Sequence, residues 1–142
     1  MRAMSLHDQL ADVARRNGIL VLYLFGSRAA DGERLLRGET VSGEGSDLDV
    51  GVVLAQPARD PFLEYGGLYA DLIEVFHPLR ADVVLLHEAN AFLQEAAVRG
   101  REVFCADEHR RDLYELEVLR RAGELIPIQR RLEMELYGKT SR

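Results

Sequence analysis

Ile19-Leu20-Val21-Leu22-Tyr23-Leu24-Phe25, an unbroken apolar run, leads straight into Gly26-Ser27-Arg28, and this stretch decides the fold. Bounded by Gly18 and Gly26, it predicts a strand buried on both faces rather than one that alternates between core and solvent. Working outward, Leu48 to Leu54 predicts a second strand ended by Pro57, and Asp82 to Leu86 a third. Arg101-Glu102-Val103-Phe104 is expected to add a short edge strand. Before the first strand, Ser5 with Asp8 three residues on reads as an N-cap opening a helix. That helix carries Leu6, Leu10, Val13 and Ala14 and ends at Asn17-Gly18.

Asp60-Pro61 looks like a cap followed by proline at the first helical position, with the helix stopping before His77-Pro78. A further helix is expected over 87–99. The final segment is helical by composition, with Leu113, Leu116 and Leu119 on one side and a break or kink near Ile126 caused by Pro127. Residues 29–46 contain Gly32, Gly38, Gly43 and Gly45 among many charges and predict a long mobile loop. The fold class is therefore α/β (α+β): a small mixed β-sheet flanked by helices, with a C-terminal helical segment.

Composition narrows the function classes. The chain has 142 residues, enough for one domain with a substantial core. Its single cysteine, Cys105, cannot form an internal disulfide, which suits a reducing compartment; it closes an apolar run and is expected to pack as a small hydrophobe. No run approaches the roughly 20 apolar residues of a membrane helix, and the N-terminus lacks the apolar stretch of a signal peptide, so the expected location is cytoplasmic. The net charge is −6; residues 106–142 hold eight basic and eight acidic side chains, so the first 105 residues carry all of it. Direct nucleic-acid binding is not expected of such a surface.

The carboxylates point to phosphoryl chemistry. Asp47 and Asp49 are two residues apart at the start of a strand and are expected to face one way. Two such charges repel, and a cation relieves them. Carboxylates suit a hard ion such as Mg²⁺, and Asp82 on a neighbouring strand would complete a cluster able to hold two. Gly26 lets the backbone approach a ligand, the turn amides and the Ser27 hydroxyl can hold phosphate oxygens, and Arg28 can add a charged contact. The four histidines show no metal-ligand spacing.

Leu24-Phe25-Gly26-Ser27-Arg28-Ala29 followed by Ser46-Asp47-Leu48-Asp49-Val50 resembles the signature of the minimal nucleotidyltransferase (MNT) domain of the DNA polymerase beta-like nucleotidyltransferase superfamily. The resemblance covers roughly residues 5–137. It implies a nucleotidyltransferase core over 1–105 with a helical extension over 106–142. It also implies catalytic and metal-binding Asp47, Asp49 and Asp82, and nucleotide-binding Gly26, Ser27 and Arg28. Stand-alone MNT proteins resemble antitoxins of HEPT/MNT pairs, which implies Mg²⁺-dependent transfer of AMP from ATP to a tyrosine of a HEPT-type toxin. A small-molecule acceptor, as in aminoglycoside nucleotidyltransferases, and neutralisation by binding alone are the alternatives; homo-oligomerisation stays open. One departure stands out: nineteen residues separate Ser27 from Asp47, where the family usually has about ten.

Overall fold

Strand formation follows the apolar runs. The computed structural model describes residues 4–137; the last five residues of the expected C-terminal extension lie outside them. In order, the elements are α1 (Leu6–Arg16), β1 (Ile19–Phe25), α2 (Ala29–Leu36), β2 (Leu48–Leu54), α3 (Pro61–Phe76), β3 (Ala81–Leu85), α4 (Ala91–Val98), β4 (Arg101–Cys105) and α5 (Glu108–Tyr137). The strands form one mixed sheet in the order β3-β2-β1-β4. β1 is antiparallel to both its neighbours, whereas β2 and β3 run parallel. Sitting between two strands and between two layers of helices, β1 is buried at all seven positions.

Caps fix the helix starts as the sequence implies. The Ser5 hydroxyl accepts from the Asp8 amide, and the Asp60 carboxylate accepts from the Leu63 amide with Pro61 following. On one face of the sheet, Leu22, Leu24, Leu48, Val50 and Val52 meet α1, α2 and α3 through Leu10, Leu36, Leu72 and Phe76. On the other face, Tyr23, Phe25 and Val53 meet Leu86 and Ala97, with α5 laid over α4.

Four expectations need correction. Residues 29–36 are helical, not loop. Gly32 is no breaker: a Cβ there would stand 2.7 Å from Leu24 Cδ1 and 3.0 Å from Leu48 Cδ1, so glycine is what lets α2 lie against the sheet. The expected helix over 87–99 is shorter, because Leu86–Glu88 forms a 3-10 turn and the Asn90 side chain caps α4 by accepting from the Leu93 amide. Finally, α5 continues through Pro127 without a break. The carbonyl that proline leaves unpaired belongs to Gly123, which is exposed and has open space around it, so solvent can take that bond.

The buried face of α5 also differs from the expected one. Val118 and Ala122 point inward, whereas Leu113, Leu116 and Leu119 are 55%, 67% and 37% exposed.

Candidate active site

Sheet topology brings the candidate residues to one end of the molecule. β1 runs toward that end and terminates at Phe25, opposite Asp49; β2 and β3 start there, with Asp49 in register with Asp82. Directly paired residues project from the same face of a sheet, so Asp49 and Asp82 stand side by side about 5 Å apart at the backbone. Leu48 and Val50 point into the helical core, which leaves Asp49 on the opposite face.

Gly26 completes this corner. Its φ of +76° is left-handed, and any Cβ there would collide with the Asp49 carboxylate. Residue 26 must therefore be glycine for both conformational and steric reasons. Ser27 follows, with its Oγ 3.0 Å from the Ser46 Oγ. The hydroxyl pair links the end of β1 to the chain entering β2.

Asp47 lies one residue before β2, with its side chain half exposed and its Oδ1 3.3 Å from Arg80 Nε. Burial, then the charges of Asp82 and Asp47, raise the Asp49 carboxyl above the ordinary 3.8. That direction is what a carboxylate short of positive charge shows. As the side chains stand, no three His, Cys, Asp or Glu groups among the described residues are gathered tightly enough to hold a metal ion. The donor chemistry nevertheless fits a hard divalent cation: Asp49 and Asp82 are paired across strands, and Asp47 joins them if its carboxylate turns from Arg80.

Arg28, beside Ser27, is engaged within the protein. Its guanidinium donates to Asp31 Oδ2 (2.8 Å) and to the carbonyls of Ser42 (2.6 Å), Glu44 (2.8 Å) and Ser46 (3.2 Å). Ser46 and Arg80 are the site neighbours that sequence reasoning passed over. Their signal was adjacency alone: one directly precedes Asp47, the other lies two residues before Asp82.

Other polar groups serve the frame. Tyr23 Oη donates to Glu115 Oε1 at 2.7 Å, Tyr114 Oη donates to Gln94 Oε1 at 2.9 Å, and His87 Nε2 accepts from the Leu54 amide at 3.1 Å. Burial raises both tyrosine hydroxyls and the half-buried Cys105 thiol, so none is an activated nucleophile. A cavity of about 440 Å³ lies at the far end of the sheet, lined by Arg16, Gly18, Ala55, Arg59 and Tyr65, and contains none of the candidate residues.

A small mixed sheet with a glycine-serine turn facing acidic strand starts is the layout of a nucleotidyltransferase domain. The family model for polymerase beta nucleotidyltransferases matches residues 8–109, and the chain belongs to that family. No curated protein matches it significantly. Among solved structures, a mutant MntA–HpeT toxin–antitoxin complex contains a chain similar to this one with TM-score 0.66 and 16% identity, covering 92% of this chain and 98% of that one. The tri-AMPylated HEPN toxin of Shewanella oneidensis in complex with MNT antitoxin gives TM-score 0.64 and 16% identity, with 93% and 96% covered. A toxin–antitoxin structure with AMP-PNP gives TM-score 0.64 and 17% identity, with 92% and 98% covered. The shared fold is that expected of an MNT domain protein.

Proposed function

We propose that this protein is a cytoplasmic, Mg²⁺-dependent adenylyltransferase that moves AMP from ATP to a hydroxyl of a partner protein. The partner is a HEPT-type toxin, the acceptor a tyrosine, and the role that of an antitoxin. The observation that carries the reading is the registration of Asp49 with Asp82 beside the Gly26 turn. Family membership supports nucleotidyl transfer in general, and the likeness to toxin–antitoxin chains supports the choice of acceptor class.

In this reading the backbone around Gly26 and the Ser27 hydroxyl would hold phosphate oxygens, while Asp47, Asp49 and Asp82 would hold two Mg²⁺ ions. Bound Mg²⁺ supplies charge neutralisation at the phosphates. The acceptor oxygen attacks the α-phosphorus, the bond to the β-phosphate oxygen breaks, and pyrophosphate leaves. The acceptor proton passes to a carboxylate of the cluster, and Asp82, the third of the three, is the group that would take it. Positioning and charge, rather than covalent chemistry by the protein, supply the acceleration.

The test is mass spectrometry of a HEPT-type toxin after incubation with the protein, ATP and Mg²⁺. Each transfer adds roughly 329 Da, the mass of one AMP residue. Absence of that increment, with the two proteins still forming a complex, rejects the enzyme in favour of neutralisation by binding.

A further inference from the structure

The segment between α2 and β2 has little of its own to hold it in place. Residues 37–47 form no helix or strand, and nearly all are exposed; Val41 alone packs against the core. Ordering such a stretch costs conformational entropy that apolar burial does not repay here. Yet its last residues, Ser46 and Asp47, must stand beside the Gly26-Ser27 turn if the two halves of the site are to meet.

One side chain makes most of the connection. Arg28 is only 11% exposed and reaches from the turn itself into the segment, where it donates to three carbonyls, those of Ser42, Glu44 and Ser46. Asp31, one helical turn along α2, orients the guanidinium through Nε at 2.8 Å. The segment is shaped to this contact: Gly45 has φ +113°, and a Cβ there would stand 2.9 Å from Arg28 Nη1. Arg80 touches the same segment from outside, at the Gly45 carbonyl (3.4 Å) and Asp47 Oδ1 (3.3 Å), but its side chain is 75% exposed. Solvent screening makes Arg80 the weaker of the two, since charge-assisted bonds gain strength with burial.

We propose that Arg28 is a positioning residue: it seats the 42–46 segment on the Gly26-Ser27 turn and thereby fixes where Asp47 stands. The proposal rests on the phosphoryl-transfer reading above for its purpose, and on the hydrogen bonds for its geometry. It also accounts for the long spacing between Ser27 and Asp47, because the returning end of the segment is tied down whatever its length. Arg28 then acts through Asp47 and touches no phosphate.

The full chain tests this without reliance on turnover. Arg28→Ala, Arg28→Lys and Gly45→Ala are compared with the parent by two readouts, cleavage after Glu39 and Glu44 by a glutamate-specific protease and Mn²⁺ affinity from the free-ion electron paramagnetic resonance signal. Loss of charged hydrogen bonds to the segment speeds cleavage about tenfold or more in Arg28→Ala, with circular dichroism unchanged. Mn²⁺ affinity falls toward that of Asp47→Asn. Arg28→Lys falls between, because one ammonium cannot span three carbonyls and Asp31 together. Gly45→Ala, which leaves Arg28 present, reproduces both changes, and adding it to Arg28→Ala changes little more.

Unchanged cleavage in Arg28→Ala overturns the proposal, as does faster cleavage with undiminished Mn²⁺ affinity. Loss of ATP affinity alone, with the segment still protected, makes Arg28 a phosphate contact and also overturns it. If the parent protein transfers no AMP, the enzyme reading fails separately, and the cleavage and Mn²⁺ results still decide the clamp.

Discussion

The two faces of the sheet are built on opposite principles. The face under α1, α2 and α3 is saturated with apolar side chains, Leu22, Leu24, Val50, Leu72 and Phe76 among them, with no buried polar group in the cluster. The face under α4 and α5 mixes Val53 and Ala97 with Tyr23, Tyr114 and Gln94, each hydroxyl tied to a specific acceptor. At its open end stand Asp49 and Asp82. The first face supplies cohesion, which is tolerant of chemistry but not of voids. The second spends part of its packing on polar anchors and unneutralised carboxylates, which is the expected trade at a working site.

Substitutions on each face separate these roles. On the proposed function, Asp49→Asn on the polar face is expected to lower AMP transfer on the order of a thousandfold or more, because the metal contact proposed for it would be worth several kcal/mol in the transition state. Single-turnover rates check it, and a rate within tenfold of the parent breaks the assignment. On the apolar face, Leu72→Ala, fully buried, lowers stability by about 3 kcal/mol in urea denaturation. Tyr23→Phe costs about 1 kcal/mol by leaving Glu115 without its donor, and Tyr23→Phe with Glu115→Leu recovers part of that.

The smallest effect concerns pH. The folded-state carboxyl of Asp49 is raised, so ionising it disfavours the fold: stability is fullest below the unfolded value of 3.8 and declines as pH rises from there through the folded value. With chelator present, Asp49→Asn therefore melts slightly higher than the parent at pH 7, and the difference closes near pH 3. A lower melting temperature at pH 7 would show that Asp49 is held by a favourable charge instead.

Much of this division was legible in the residues. The apolar run over 19–25, the caps at Ser5 and Asp60-Pro61, and the two-residue spacing of Asp47 and Asp49 are local and local physics reads them directly, whereas the pairing of Asp49 with Asp82 depends on strand order, which spacing does not give. What escaped depends on tertiary contact. Gly32 looked like a breaker because its reason, close approach to Leu24 and Leu48, lies on two strands. Leu113, Leu116 and Leu119 make a plausible apolar face, but packing chose Val118 and Ala122 instead. The reach of Arg28 to the carbonyls of Ser42, Glu44 and Ser46 likewise depends on how the 42–46 segment returns, which its place beside Ser27 does not tell.

β1 carries one more consequence, in the order of synthesis. A chain emerging N-terminus first has every candidate site residue once Asp82 appears, but the partner for the second edge of β1 comes only with Arg101–Cys105. Until then the seven-residue run from Ile19 to Phe25 is an unpaired apolar edge, the kind that templates joining to another chain. The nascent protein is thus most prone to aggregate in the interval between completing its chemistry and covering its central strand. Arg101 and Glu102, the exposed charged residues that open β4, end that interval.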